Sequence, residues 1–250
     1  MQTVKEFEIQ MKNDLKKVFD NVLRSYNYEL PISSKSRSGA EISDYLEDGF
    51  LKYLEEHPHK RIYNPLGSPK GATKNPYDFC FQCKNDLDYP FDDLVWGDIK
   101  AIKRSYKNSN PDLGTPEKVL RFMLSGHFYL VFVFFEYDST TDGKTKFLKF
   151  PNGEYVHVMF LKDINKTVRI NPKPQFQVNI HEPEEYRTKE EFIDMFLKKY
   201  KESNDRIINK QLKKKATLDA RFAKIRAIQF GDRFKNENQL SNYDEEKDEK

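Results

Sequence analysis

Two aspartates and a lysine in the first half of the chain have the residue types and spacing of a phosphodiester-cleaving site. Asp78 opens a predicted strand, and Asp98 and Lys100 lie two residues apart in the next one. Because side chains alternate across a strand, Asp98 and Lys100 project from one face while Ile99 points to the other. If the two strands pair, Asp78 reaches the first face. Two carboxylates and an ammonium group at one point suit Mg²⁺ and the phosphate beside it.

A third carboxylate, Glu41, lies near the start of a helix predicted from about Ala40 to Glu55. Ser38, three residues earlier, completes the pattern of a capping box, in which the Glu41 side chain accepts the backbone amide of the N-cap residue. The alternative is that Glu41 faces the metal. Asp44 and Asp48 share its helix face, and we expect them to be solvated.

The elements around these residues predict a central sheet with helices packed on it. The apolar stripe in residues 3–26 is typical of an amphipathic helix, and Thr115 and Pro116 have the residue types that begin another. Residues 126–137 are almost continuously apolar and aromatic, which predicts a strand buried on both faces near the sheet centre.

Two more strands are predicted over residues 145–150 and 154–161, joined by a turn at 151–153. Residues 57–73 are rich in Pro, Gly and Lys and predict an irregular connection. The predicted fold class is therefore α/β (α+β), with a central mixed β-sheet flanked by helices.

A single domain is expected over residues 1–232, followed by an acidic, disordered tail over residues 233–250. No stretch approaches the roughly 18 apolar residues of a membrane span, and the first residues contain no secretory h-region. We therefore expect a cytoplasmic protein that contacts no membrane. In that reducing compartment Cys80 and Cys83 should be free thiols on opposite faces of a strand, because their C-x-x-C lacks the second pair of a zinc site.

Polar residues in two segments predict contacts with DNA. One segment follows the strand that carries Asp98, and the other spans residues 169–180, where Lys, Gln and Asn recur at every second position. In an extended chain these would lie along one edge, and Gln or Asn can bond adenine N6 and N7. The alternative is an exposed edge strand, where proline is tolerated. The expected DNA contacts are Lys103, Lys107, Asn108, Ser109, Asn110, Arg169, Asn171, Lys173, Gln175, Gln177 and Asn179.

A basic helix is predicted near the C-terminus. Residues 198–226 contain 11 Lys and Arg against 3 Asp and Glu, with apolar residues at helical spacing. Such a helix can lie on phosphates, on a membrane surface or along a partner helix.

Seven blocks of sequence, in order, resemble the SwaI group of type II restriction endonucleases in the PD-(D/E)xK superfamily, over about residues 39–200. The blocks are SGAEISDYLEDGF, TKNPYD, GDIKAIK, SNPDLGTPEKV, HFYLVFVFFEY, RINPKPQ and YRTKEEF. The resemblance implies a restriction-endonuclease-like core and a bacterial, homodimeric, Mg²⁺-dependent enzyme of a restriction-modification system. It would cut double-stranded DNA at a palindromic, A·T-rich octanucleotide and need no cofactor beyond the metal.

At the matching positions, Asp78 and Asp98 would be the acids, Lys100 the lysine and Glu41 the helix carboxylate. The acids, the Ile99 carbonyl and Glu41 would then hold metal. One position departs from the pattern, because the second acid is Asp rather than the commoner Glu, although Asp still ligates Mg²⁺.

Other functions remain possible from the residues alone. A DNA-binding protein of nuclease ancestry without activity is disfavoured, because all three motif positions hold competent residues. A junction-resolvase-like nuclease would share the metal site but would need few base-edge donors. A membrane-surface or partner-binding protein would rest on the basic helix alone.

Overall fold

The computed structural model describes residues 2–32, 38–68, 77–84, 94–105, 110–140, 143–165 and 167–230. The helices are α1 (Val4–Ser25), α2 (Ser38–Glu56), α3 (Pro116–Leu124) and α4 (Lys189–Phe230), with a short 3₁₀ helix at Leu161–Asp163. The strands are β1 (Glu29–Leu30), β2 (Ile62–Gly67), β3 (Phe79–Cys83), β4 (Val95–Lys103), β5 (Leu130–Ser139), β6 (Thr145–Leu148), β7 (His157–Phe160), β8 (Arg169–Ile170) and β9 (Phe176–Gln177).

Seven of the described strands form one sheet. Six of them follow the order β1-β6-β5-β4-β3-β2. The seventh, β7, pairs with the first half of β5, along the same edge of β5 as β6. The β4–β5 pair is parallel and the other pairs are antiparallel. The sheet is therefore mixed, as predicted. β8 and β9 form a separate hairpin.

β5 is the centre of the sheet, as its apolar sequence predicts. It pairs with β4, β6 and β7, and its first eight residues are buried. Helices α1 and α2 cover one face, where Phe19 stacks on Phe50 with ring centroids 4.9 Å apart. The other face is covered by α3, the β8–β9 hairpin and the first turns of α4, around Phe122, Phe176 and Phe196.

The helix starts follow from local capping. Thr115 caps α3 by accepting the Lys118 amide, with Pro116 as the first helical residue. Thr188 and Glu191 form the capping box of α4, in which the Thr188 amide donates to Glu191 and the Glu191 amide donates to Thr188. The cap predicted at Thr115 is confirmed.

The prediction that residues 57–73 are irregular is wrong in part, because they contain β2. This strand pairs with β3 at the sheet edge, and its register shifts between Tyr63 and Leu66. Asn64 has a φ of 48° there, so the chain bulges around Asn64 and Pro65. Proline is compatible with an edge strand that bulges, which is why a Pro- and Gly-rich segment can still pair.

The chain divides into two compact units, Met1–Tyr200 and Lys201–Lys250. The first contains the sheet, and the described part of the second is helical to Phe230. The predicted boundary at residue 232 stays a prediction. None of the helices in the described ranges is long and apolar enough to cross a membrane.

A buried network of charges joins α1 to the segment that leads into α4. Lys162, with only 4% of its side chain exposed, donates to Asp163 Oδ1 and to the Arg187 carbonyl, each at 2.8 Å. Its Nζ also lies 2.8 Å from Glu8 Oε2, as an ion pair outside hydrogen-bond geometry. Tyr129 donates to the other Glu8 oxygen at 3.1 Å. One cation therefore compensates two buried carboxylates.

Replacing Lys162 should destabilise the fold strongly. Lys162→Met leaves Glu8 and Asp163 without their cation, and breaking a buried pair in this way costs about 3–5 kcal/mol. The free energy of unfolding, measured by denaturant titration, should fall by that amount. Arg121→Met is the control, because Arg121 pairs with Glu117 on the exposed surface of α3, where a pair contributes at most about 1 kcal/mol. Equal stability of the two variants would contradict a stabilising role for the network.

Candidate active site

Asp78 lies immediately before Phe79, the first residue of β3. Its amide donates to the Gly97 carbonyl at 2.7 Å, and its own carbonyl accepts the Ser68 amide at 2.6 Å. In the described residues, the pairs between β3 and β4 end with Phe79 and Gly97. Beyond them the Asp78 side chain contacts β4, because its Oδ2 accepts the Ile99 amide at 2.6 Å. The side chain is thereby held against the middle of β4.

The antiparallel register brings the two aspartates together. Phe79 pairs with Gly97 and Cys80 with Trp96, so the next positions along the ladder are Asp78 and Asp98. Residues directly opposite each other in an antiparallel pair have side chains on the same face.

Asp98 and Lys100 lie on that face together, as the alternation in the strand predicts. Lys100 Nζ is 2.6 Å from Asp98 Oδ2. On the neighbouring strand β5, Phe132 and Phe134 pair with these two positions. The ion pair therefore lies beside buried aromatic rings, and the Asp98 side chain is only 12% exposed.

Burial raises the pKa of both aspartates. Removal from water raises the pKa of Asp98 to about 7, and the nearby charge of Asp78 adds to this while Lys100 opposes it. Burial also raises the pKa of Asp78, against the hydrogen bond from Ile99 and the charge of Lys100. Lys100 therefore compensates the two carboxylates only in part.

Gly97 permits the strand pairing that creates this arrangement. A Cβ on Gly97 would lie 2.1 to 2.5 Å from the Phe79 ring, closer than any real contact. The ring therefore covers the glycine across the strand pair, on the face packed against α2. A side chain at position 97 would separate β3 from β4 or displace the ring.

Helix α2 crosses β4 just past the end of β3. Ser43 Oγ donates to the Ile99 carbonyl at 3.2 Å and to the Gly39 carbonyl at 3.1 Å. Glu41 lies in the first turn of the helix. Within the described residues, no hydrogen bond or ion pair joins Glu41 to Asp78 or Asp98. The Ser38 side chain lies outside the described part, so the predicted capping box there stays a prediction.

Glu47, also on α2, forms a hydrogen bond beside the strand end that holds Asp78. Its Oε1 accepts the Ser68 amide at 3.1 Å, and the same amide donates to the Asp78 carbonyl. Burial raises the pKa of Glu47 to about 7, and the charges of Asp78, Asp48 and Asp44 add to this. No motif in the sequence indicates a role for Glu47 at this site. Only the i+4 spacing from Ser43 to Glu47 indicates their shared face, and nothing in the sequence shows that this face meets β4.

The residues predicted to contact DNA fall into four groups. Lys103 ends β4, and Asn110 lies shortly before the bridge from Asp112 to Gln177. Lys107, Asn108 and Ser109 lie outside the described residues. Asn179 is in a turn, where its oxygen accepts the His181 amide. The others are in the β8–β9 hairpin: Arg169, Asn171, Lys173, Gln175 and Gln177.

This hairpin corrects the prediction of one extended segment over residues 169–180. Arg169 pairs with Gln177, and the chain turns between them. The Asn171 side chain closes the turn by accepting the amides of Lys173 at 2.9 Å and Gln175 at 3.1 Å. Such side-chain to backbone bonds compete with extended pairing, which explains the difference.

The chain resembles known proteins in its sequence and in its structure. The family model of the SwaI restriction endonuclease, SwaI-like, matches residues 3–218. Among solved structures, the NlaIV restriction endonuclease is similar at 14% identity over 78% of this chain and 89% of that chain, with a TM-score of 0.42. No curated protein sequence matches. Because the family model spans most of the sequence, the chain belongs to the SwaI-like restriction endonuclease family and is a type II, site-specific deoxyribonuclease that acts on double-stranded DNA.

Proposed function

We propose that this restriction endonuclease uses Mg²⁺ at a PD-(D/E)xK site to cut a palindromic, A·T-rich octanucleotide. Asp78 and Asp98 are its acids and Lys100 is its lysine. Two copies act as a homodimer in the bacterial cytoplasm, each cutting one strand. The observation that carries the proposal is the convergence of Asp78 with the Asp98–Lys100 ion pair on one face of paired strands.

The donor atoms fit Mg²⁺. Asp78 and Asp98 offer hard carboxylate oxygens, and the Ile99 carbonyl has a second lone pair besides the one that accepts Ser43. In the described part of the chain no group of three or more Asp, Glu, His or Cys side chains could hold a metal. That suits an ion that binds through one or two carboxylates and keeps several waters. Bound Mg²⁺ would offset the charge of the phosphate and acidify water.

Lys100 adds a positive charge of the protein itself. Its Nζ is held at 2.6 Å from Asp98, so a scissile phosphate lying against the carboxylates would also meet the ammonium group. Lys100 either orients the attacking water or, as an amine, accepts its proton. In-line attack on phosphorus breaks the bond to the 3′ oxygen, which takes up a proton. The products are a 5′-phosphate and a 3′-hydroxyl.

The carboxylates of α2 have a supporting role in this proposal. Glu41 is retained as a candidate for a second metal or a water at the site. Glu47 positions the backbone at Ser68 and, through it, the start of β3. A negative charge there also favours cation binding beside Asp78.

The β8–β9 hairpin, with residues Lys107 to Asn110, is the proposed DNA-reading surface. Gln175 and Gln177 present amides, which can make paired bonds to adenine. Lys173 and Arg169 are exposed cations on the same hairpin. The exposed lysines of α4, such as Lys210 and Lys214, are proposed to meet phosphates.

The proposal is tested by removing an acid. Asp98→Asn keeps the size of the side chain but loses a ligand and the partner of Lys100, so cleavage of DNA in Mg²⁺ should fall at least about 100-fold. Specific binding, measured by gel shift in Ca²⁺, should persist, because Ca²⁺ supports binding but positions water poorly. Asp20→Asn, at an exposed carboxylate of α1, is the control and should cut normally. Near wild-type cleavage by Asp98→Asn would show that the active site lies elsewhere.

The raised pKa of Asp98 predicts a pH dependence that changes with metal concentration. Below about pH 7 the carboxyl is protonated and must lose its proton to ligate Mg²⁺. At limiting Mg²⁺ the cleavage rate should therefore fall by up to about tenfold for each pH unit below 7. Saturating Mg²⁺ should move the midpoint of the rate profile to lower pH. A midpoint that does not respond to Mg²⁺ would contradict the assignment.

The hairpin glutamines and the α4 lysines should behave differently on substitution. Gln175→Ala or Gln177→Ala removes a base contact worth about 1–3 kcal/mol, or roughly 5- to 150-fold in discrimination, so near-cognate sites differing at an A·T pair should be cut. Lys210→Ala or Lys214→Ala should weaken binding to all sequences alike and reduce the salt slope by about one. Cleavage of a randomised-site library at two salt concentrations measures both effects. Glutamine variants that lose only affinity would place base reading elsewhere.

A further inference from the structure

Asp112 is an exposed carboxylate in the surface proposed to meet DNA. It lies between the loop that contains Asn110 and the β8–β9 hairpin. A negative charge at such a place weakens the attraction to phosphates, so a purely electrostatic surface would not contain it.

The contacts of Asp112 are with two amides of the hairpin. Its Oδ1 accepts the Gln177 Nε2 at 2.9 Å and the Asn171 Nδ2 at 3.2 Å. Both are residues that we expect to contact DNA. One carboxylate oxygen therefore holds the nitrogen ends of two base-reading candidates.

The backbone around Asp112 is itself fixed. Asp112 forms an antiparallel bridge with Gln177. The Leu113 amide donates to the Phe176 carbonyl at 2.7 Å, and the Phe176 amide donates to the Gly114 carbonyl at 2.9 Å. Leu113 and Phe176 are buried in the core. Asp112 thus belongs to a short ladder in which each of the two segments has a residue buried in the core.

This contact fixes which way the Gln177 amide points. A glutamine amide carries two N–H groups and one carbonyl oxygen, and the two ends can exchange by rotation. A carboxylate accepts only, so it selects the orientation with nitrogen toward Asp112. The second N–H and the oxygen remain for a partner, and these are the donor and acceptor that pair with adenine N7 and N6.

We propose that Asp112 is a positioning residue for sequence recognition, which holds the Gln177 amide in the orientation that reads adenine. The inference rests on the proposed function of the hairpin. Asp112 makes no base contact itself. Its contribution is to keep Gln177 from presenting the reverse pattern of donor and acceptor, which would fit other bases.

The test compares Asp112→Ala, Asp112→Asn, Gln177→Ala and the double variant Asp112→Ala/Gln177→Ala by cleavage of a randomised-site library. Asp112→Ala should lower the ratio of cognate to near-cognate cleavage at least about fivefold, at the same base position as Gln177→Ala. Asp112→Asn should retain most of the preference, because its side-chain oxygen can accept the same hydrogen. The double variant should be no less selective than Gln177→Ala, since both changes act on one contact.

Asp138→Ala is the matched control. It removes one partly exposed carboxylate, whose contact is with the Ser139 amide and not with a side-chain amide, so it should leave the site preference unchanged. Melting temperatures of all variants should lie close together, which separates a loss of selectivity from a loss of folding.

The outcomes separate this inference from the function on which it rests. If Gln177→Ala relaxes the site while Asp112→Ala keeps it, the positioning role is overturned and the base reading stands. If neither variant changes the preference, both fail. If Asp112→Ala and Asp112→Asn lose selectivity equally, or at a position that Gln177→Ala does not affect, Asp112 contacts a base directly and the positioning role is again wrong.

Discussion

The close pairing of Phe79 with Gly97 is the contact on which the proposed active site depends. The ring occupies the space of a side chain at position 97, which fixes how far β3 and β4 approach and in which register. One position further along the same ladder, Asp78 and Asp98 face each other. Hydrophobic packing on one face of the sheet thus sets the distance between the charged groups on the other. The arrangement needs no attraction between the aspartates, which repel.

Repulsion between the ionised carboxylates destabilises the fold, whereas binding of a cation favours their ionised form. The rings of Phe132 and Phe134 flank Asp98, and burial together with Asp78 raises its pKa to about 7. Without metal, the fold is favoured when Asp98 is protonated, and this contribution to stability is lost as the pH rises through about 7. A cation reverses the effect, because it stabilises the charged form. The charged form of the site is therefore more stable with a bound cation than without one.

Features of the fold and site that depend on local periodicity can be predicted from the sequence, whereas those that depend on packing between distant elements cannot. The alternation in β4 placed Asp98 and Lys100 on one face, and the apolar run identified β5 as the central strand. The choice between Glu41 and Glu47 depends on the rotation of α2 against β4, which no local pattern records. Asp112 reaches partners 59 and 65 residues away, so nothing near it in the sequence indicates its contacts. The turn in the β8–β9 hairpin was missed because alternating polar residues fit a straight strand equally well.

The two cysteines of β3 are free, and they lie on opposite faces of the sheet, Cys83 in the core beneath α1 and α2 and Cys80 in the core on the side of α3. Burial raises the pKa of the Cys80 thiol. It also raises the pKa of the Cys83 thiol, to about 12, so neither is a reactive thiolate at neutral pH. An alkylating reagent can therefore modify each sulfur only when the layer above it opens. One strand therefore contains two thiols whose alkylation reports local unfolding, one for each layer, close in sequence to the proposed catalytic aspartates.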